Sequence, residues 1–141
     1  MEHIERKVQS LIKTYGTNCP FEIAKALDIE VYYENLGAIS GYYNQSRRIK
    51  FIHLNENLSD DEKRFVCAHE LGHAVEHSGV NAPFIKEFTF FSLNKIEQEA
   101  NAFAIYLLFN NNSNEQLTTE MALNRYGIPQ KLLESHPLFS Q

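Results

Sequence analysis

The chain has 141 residues, a formal net charge of -5 and 43% hydrophobic residues, the composition of an ordinary globular protein, and we expect a single domain over residues 1–141. This acidic balance excludes a protein that works by neutralising phosphates, so we predict no direct binding of nucleic acid. Cys19 and Cys67 stand in no disulfide or metal-binding pattern, and no apolar run reaches the ~18 residues of a membrane span. We therefore expect a cytoplasmic protein with no membrane partner.

The first half of the chain predicts two helices followed by a small sheet. Apolar residues recur at helical spacing from Ile4 to Tyr15, and Pro20 suits the first turn of a second helix, so both helices fall within residues 1–28. Three short runs rich in β-branched and aromatic residues then predict a three-stranded sheet over 29–55, arranged as an antiparallel meander.

The second half of the chain predicts helices only. Ser59 and Glu62 have the spacing of a capping box and begin a helix over 59–78. Another helix is predicted over 95–109, and two shorter helices over 116–135. With the small sheet packed on the first of these helices, the fold class is α+β.

The helix over 59–78 contains His69-Glu70-Leu71-Gly72-His73, the HExxH pattern. Helix residues four apart are separated by about 40° and ~6 Å of rise, so both imidazoles can bind one ion from the same face. Glu70 lies to one side of that line, where its carboxylate can act as a general base toward water at the metal. Zinc in such a site makes a nucleophile available at neutral pH. The alternative is a surface helix with two incidental histidines.

A catalytic zinc ion usually takes three protein ligands, so a third ligand has to come from elsewhere in the chain. His77 lies ~12 Å along the helix axis from His69, which favours a helix-end or supporting role over ligation. In the helix over 95–109, Glu97 and Glu99 flank the apolar stripe at nearly equal angles. Periodicity therefore leaves both glutamates open as the ligand, and both could instead be solvated boundary residues.

Three segments together resemble the ImmA/IrrE family of zinc metallopeptidases, which are bacterial and phage proteins similar to the gluzincins. The segments are YGTNCPFEIAKALDIEV, the active helix KRFVCAHELGHAVEH and the later helix EQEANAFAIYLL. The resemblance implies a zincin-like fold with one zinc ion (Zn2+) per chain, although Mn2+ or Fe2+ could also occupy a site of this type. It implies His69, His73 and Glu97 as metal ligands and Glu70 as the catalytic residue. Asn101, one turn beyond Glu97, either orients a ligand or is a polar boundary residue.

The resemblance also implies an endopeptidase that cuts a helix-turn-helix transcriptional repressor, in a phage or another mobile element. The alternative is an anti-repressor that binds its partner without cutting it and whose metal only stabilises the fold. The strand from Ile49 to Leu54 is the expected edge strand for substrate binding, because it leads directly to the HExxH helix. Tyr42, Tyr43 and Tyr106 are available as donors to the oxyanion, and the sequence does not select among them.

Three other features are expected to be structural. Cys67 is predicted to be a small buried core residue, and His53 a packing residue of its strand. The aromatic run FIKEFTFF is predicted to belong to the core and not to a partner surface.

Overall fold

The computed structural model describes residues 1–79, 82–109 and 119–136 of the chain. This part consists of two helices, a three-stranded sheet and five further helices, an α+β arrangement as predicted. In chain order the elements are α1 (Glu2–Tyr15), α2 (Pro20–Ala26), β1 (Ile29–Glu34), β2 (Gly41–Ser46), β3 (Ile49–Asn55), α3 (Asp60–Glu76), α4 (Lys86–Thr89), α5 (Lys95–Leu108), α6 (Thr119–Arg125) and α7 (Gln130–Ser135).

Local signals set where the helices begin and end. Helix α1 ends at Gly16, whose φ of 68° lies in the left-handed region that glycine adopts without strain. Helix α3 begins with the predicted capping box, in which the Ser59 and Glu62 side chains each accept a hydrogen bond from the other residue's amide. At the start of α5, the Asn94 side chain accepts a hydrogen bond from the Ile96 amide at 2.9 Å. Side-chain caps therefore fix the beginning of both α3 and α5.

The sheet is not the antiparallel meander that the sequence predicted. Strand β3 lies in the middle, parallel to β1 and antiparallel to β2. A two-residue turn at 47–48 joins β2 to β3 as a hairpin, whereas residues 35–40 carry the chain past the end of β3 to its other side. The Asn55 side chain holds this crossing, because it donates hydrogen bonds to the carbonyls of Gly37 and Ile39, each at 3.0 Å. The prediction was wrong because the alternation of apolar and polar residues shows which face of a strand is buried. It does not show which strands lie beside it in the sheet.

The central position of β3 also means that its expected role as the substrate-binding edge strand is wrong. Residues 50–54 pair with β1 on one side and with β2 on the other. The outer edges of the sheet belong to β1 and β2. At the start of β2, one residue of the outer edge is paired: the Phe84 amide donates a hydrogen bond to the Gly41 carbonyl at 2.7 Å.

Helix α3 runs through the centre of the molecule and contacts β2, β3 and α5. Every residue from 65 to 74 is buried, so its middle section is enclosed on all sides. Gly72 marks a close approach to α5, because a Cβ atom at this position would lie 3.1 Å from the Cβ and Cγ atoms of the fully buried Phe103. The absence of a side chain at Gly72 therefore lets the two helices come close together.

The segment between α3 and α5 divides the aromatic run. Phe84 and Phe90 are buried in the core, whereas Phe88 and Phe91 are exposed, so the prediction that the run belongs to the core holds for only part of it. Helices α6 and α7 occupy most of the predicted C-terminal helical region, whose first residues, 116–118, lie outside the described residues. Within the described residues, none of the helices combines the length and the apolar character needed to cross a membrane.

Candidate metal centre

The two histidines of the HExxH pattern lie side by side in the middle of α3. The rings of His69 and His73 meet edge to face with their centroids 4.8 Å apart, and each residue is only 1% exposed. The ring of Phe84 packs edge-on against His69, also with a centroid distance of 4.8 Å. Both imidazoles are therefore held in a site from which water is largely excluded, where a polar interaction is stronger than at the surface.

Glu97 faces these two histidines, whereas Glu99 does not contact them. Oε1 of Glu97 lies 3.2 Å from Nε2 of His69 and 2.6 Å from Nε2 of His73. Two imidazole nitrogens and one carboxylate oxygen thus converge on one another, and this donor set is one that catalytic zinc sites use. The structure thereby separates the two glutamates that helical periodicity left equivalent.

The other ring nitrogen of each histidine is also held in place. Nδ1 of His69 lies 2.9 Å from Oδ1 of Asn101, whose side-chain amide donates to the Thr89 carbonyl at 3.1 Å. Because the amide nitrogen of Asn101 is engaged in this way, its Oδ1 accepts the proton of His69 Nδ1, and the Nε2 lone pair of His69 is free for an ion. Nδ1 of His73 lies 3.2 Å from Nδ1 of His77. Asn101 is fully buried and contacts the ligand candidate directly, which excludes its reading as a boundary residue.

Glu70 is buried beside the same two histidines. Neither of its carboxylate oxygens has a hydrogen-bond partner within the described part of the chain. The ligand-type atoms of His69, Glu70 and His73 all lie within 4.8 Å of one another, but Glu97 is the carboxylate in contact with both imidazoles. Burial, and to a smaller extent the charge of Glu97, raises the pKa of Glu70 well above its ordinary value. Since buried polar groups are nearly always bonded, Glu70 has the position of a group whose partner is a water molecule or a substrate.

The protonation states of the ligand candidates suit a cation. Burial lowers the pKa of His69, which favours the neutral imidazole that metal binding requires. For Glu97, burial acts to raise the pKa, but the contacts with the His69 and His73 rings outweigh it and bring the pKa to about 2, so that the carboxylate is ionised. A neutral imidazole beside an ionised carboxylate is the donor chemistry that binds a divalent cation, and the residues present therefore fit a metal ion.

The three tyrosines that the sequence offered as oxyanion donors make other contacts. Tyr42 stacks on His53 with ring centroids 4.2 Å apart, and the Tyr43 hydroxyl donates to the Ser78 carbonyl at 3.2 Å. Tyr106 is buried, and burial raises the pKa of its hydroxyl. None of these contacts places a tyrosine hydroxyl at the candidate ligands.

Two predicted packing residues have the expected role. Cys67 is fully buried, and burial raises the pKa of its thiol far above its ordinary range. His53 stacks on Tyr42 of β2, and its two ring nitrogens contact the side chains of Glu34 on β1 and Asn44 on β2. One residue of the site region was missed by sequence reasoning: Nε2 of His3, in the first turn of α1, lies 2.7 Å from Oε2 of Glu99. These two residues are 96 positions apart in the chain, so the spacing of residues within one helix could not have predicted their contact.

Comparison with known proteins adds an independent line of evidence. Residues 24–126 match the family model of the IrrE N-terminal-like domain. The chain is 42% identical to "Uncharacterized immunity region protein 2" of Bacillus phage phi105 over 135 residues, which cover 92% of this chain and 85% of the phage protein. It is 36% identical to "Metallopeptidase ImmA" of Bacillus subtilis (strain 168) over 107 residues, 74% of this chain and 62% of ImmA.

A third relative is "Phage-like element PBSX protein XkdA" of Bacillus subtilis (strain 168), which is 30% identical over 108 residues, 73% of this chain and 48% of XkdA. The matched region thus spans less than two thirds of the length of ImmA and of XkdA. The match to the IrrE N-terminal-like domain extends over more than half of the chain and includes both helices that carry the ligand candidates. On this evidence the chain belongs to the ImmA/IrrE family of metallopeptidases.

Proposed function

We propose that this chain is a zinc-dependent endopeptidase that cleaves a helix-turn-helix transcriptional repressor and so relieves repression. The observation that carries the proposal is Glu70, a buried carboxylate whose two oxygens have no partner in the described residues and which lies beside the ligand candidates. A metal ion that only stabilised the fold would need ligands, but it would not need a further carboxylate beside them. An additional unpaired carboxylate in the same dry site costs stability and has a use only if it acts on a bound molecule.

The relatives support a protease that acts in phage immunity. One of them carries the name metallopeptidase, and another is named for the immunity region of a phage. The resemblance of the sequence to the ImmA/IrrE family implies a transcriptional repressor as the substrate, and a relative from a phage immunity region agrees with that substrate. The proposal therefore specifies a protein partner and assigns no direct contact with DNA.

In the proposed reaction, His69, His73 and Glu97 would hold the ion, and Asn101 would keep the His69 imidazole in its binding orientation. A divalent ion at this position supplies Lewis acidity toward the scissile carbonyl. Glu70 takes a proton from the attacking water while the water oxygen bonds to the carbonyl carbon, and it hands that proton to the amine nitrogen as the C–N bond breaks.

The outer edge of β2 is the proposed place for the substrate segment, in place of β3. At Gly41 this edge is already paired with Phe84, whose ring packs against His69. A peptide would therefore pair with the rest of the edge, along residues 42–46, beside a segment that contacts the candidate metal site. An extended peptide can add to such an edge through backbone hydrogen bonds, which bind a segment largely independently of its sequence.

The test compares wild type with Glu70→Gln, which keeps the size of the side chain and removes its ability to take a proton. Each protein is added to extracts of Bacillus cells that carry a prophage, and new protein N-termini are identified by terminal-amine labelling and mass spectrometry. We expect both proteins to bind about one zinc ion and only the wild type to create a new terminus, within a repressor. Glu76→Gln, on the same helix outside the ligand cluster, is the matched control and should behave as wild type.

A zinc-loaded wild type that creates the same termini as Glu70→Gln would contradict the endopeptidase. If an uncut repressor then co-purifies with both proteins, the chain is a binding anti-repressor with a structural metal.

A further inference from the structure

A row of polar side chains connects the ligand candidate His73 to the first turn of α1. Nδ1 of His73 lies 3.2 Å from Nδ1 of His77, the residue that caps the C-terminal end of α3. Nε2 of His77 lies 3.3 Å from Oε1 of Glu99 on α5. Oε2 of the same carboxylate lies 2.7 Å from Nε2 of His3 on α1. Three helices thus meet at one carboxylate, and the row ends at the ring of His73, whose other nitrogen faces Glu97.

The inner part of this row is shielded from water. The side chains of His77 and Glu99 are each only 11% exposed, whereas the side chain of His3 is 53% exposed. Hydrogen bonds that water reaches poorly are stronger than those at the surface, and a fully satisfied buried network holds its members in one arrangement. The contacts of His77 and Glu99 are therefore expected to matter more than that of His3.

One requirement fixes the direction of every hydrogen bond in the row. If Nε2 of His73 keeps its lone pair for an ion, Nδ1 of His73 carries the proton and donates it to Nδ1 of His77. His77 then carries its own proton on Nε2 and donates to Oε1 of Glu99. The remaining oxygen of Glu99 accepts from Nε2 of His3. Each nitrogen donates or accepts once, so the row has an assignment that is consistent throughout with a metal ligand at its inner end.

We propose that His77, Glu99 and His3 are positioning residues of the metal site, which lock the ring of His73 with Nε2 directed at the ion. The proposal rests on the metal site of the proposed function. In this proposal, the row of side chains orients His73 in the same way as Asn101 orients His69. Loss of such a supporting partner typically weakens metal binding about 10–100-fold.

The competing explanation is that the row only packs α1 against α5 and α3. In that case its removal destabilises the fold and leaves the affinity for the metal unchanged. His53 provides a matched control, because its Nδ1 also contacts a carboxylate, Oε1 of Glu34, within the sheet and without contact to the ligand candidates. His53→Ala removes a histidine–carboxylate contact of the same kind at another place in the fold.

The experiment measures zinc dissociation constants by competition with a chromophoric chelator, together with urea unfolding of the metal-free proteins. We expect the affinity to fall about 10–100-fold in His77→Ala and about tenfold in Glu99→Ala, with about one zinc ion still bound at saturation. His3→Ala should lose affinity only about twofold, since its contact is exposed. His53→Ala should bind zinc as tightly as wild type, whatever its stability.

A rescue variant separates positioning from packing. In His77→Asn, the side-chain oxygen takes approximately the place of Nδ1 and can accept the proton of His73. We expect this variant to recover most of the affinity that His77→Ala loses. The visible absorption bands of the cobalt-loaded protein report ligand geometry, and they should change in His77→Ala and return toward wild type in His77→Asn.

Wild-type affinity in both His77→Ala and Glu99→Ala would overturn the inference. It would also be overturned if the losses follow the loss of stability, with His77→Asn no better than His77→Ala and His53→Ala equally weakened. A wild type that binds no zinc would overturn the proposed function itself, whereas a wild type that binds zinc beside unaltered variants overturns only the positioning role.

Discussion

Replacement of Gly72 by alanine tests whether this residue sets the spacing between α3 and α5. A Cβ atom at this position would lie 3.1 Å from the Cβ and Cγ atoms of Phe103 and 3.2 Å from its Cδ1. Since carbon atoms in contact lie about 3.5–4.0 Å apart, the helices would have to separate by about 0.5 Å. Phe103 is fully buried, and two of these atoms belong to the base of its side chain, so a ring rotation does not relieve the clash.

Two opposing effects decide the change in the free energy of unfolding. Alanine in a helix interior is favoured over glycine by about 1 kcal/mol, whereas overpacking of a core costs about 1–3 kcal/mol. Because Phe103 cannot move away, we expect overpacking to win, with a net loss of about 1 kcal/mol. The proposed metal site should respond more strongly, since metal–ligand distances tolerate only about 0.2 Å and the proposed ligands come from both helices. We expect zinc binding to weaken about tenfold.

Urea unfolding of the metal-free protein and competition for zinc measure the two quantities. Gly79→Ala is the control, because a Cβ atom there would meet nothing within 4 Å. A Gly72→Ala protein that is about 1 kcal/mol more stable than wild type and binds zinc equally well would refute the reasoning, since helix propensity alone predicts that outcome.

Three further predictions concern the cap of α3, the third ligand and the response to acid. Ser59→Ala removes the cap of α3 and should lower the free energy of unfolding by about 1 kcal/mol in urea; an unchanged midpoint would show that the capping hydrogen bond adds nothing in solution. Glu97→Ala should lose stoichiometric zinc in elemental analysis while Glu99→Ala keeps about one ion per chain at saturation, and the reverse pattern would move the ligand to Glu99. Burial lowers the pKa of His136 to about 4, so the fold favours the neutral ring; this contribution is complete above the ordinary pKa of about 6.5 and is lost as the pH falls toward 4. His136→Phe should therefore reduce the loss of stability between about pH 6.5 and pH 5 by about 1 kcal/mol, and parallel curves of unfolding free energy against pH would contradict this assignment.

The features that the sequence predicts well depend on local spacing. The capping box, the four-residue interval of the two histidines and the alternation of the strands each involve residues within one or two turns of one another. The α+β class with a three-stranded sheet and the family membership are confirmed for this reason. The placement of Glu70 beside His69 and His73 likewise follows from the pitch of a single helix.

The features that the sequence could not predict depend on how distant elements pack. Glu97 and Glu99 flank the same stripe of α5, and the rotation of that helix against α3 decides which of them faces the histidines. The strand order depends on a crossing held by Asn55, whose two hydrogen bonds to the loop have no counterpart in a local pattern. His3 reaches Glu99 only because α1 packs on α5.

The carboxylate of Glu70, which has no hydrogen-bond partner among the described residues, sets stability and the proposed activity against each other at a single position. A neutral, apolar side chain of similar size would relieve the cost of burying this group, so we expect the fold to become more stable when Glu70 is lost. A screen that ranks variants by melting temperature alone would then favour proteins that can no longer carry out the proposed reaction. Efforts to stabilise this domain should therefore leave position 70 unchanged and seek their gains in the helix caps and the exposed loops.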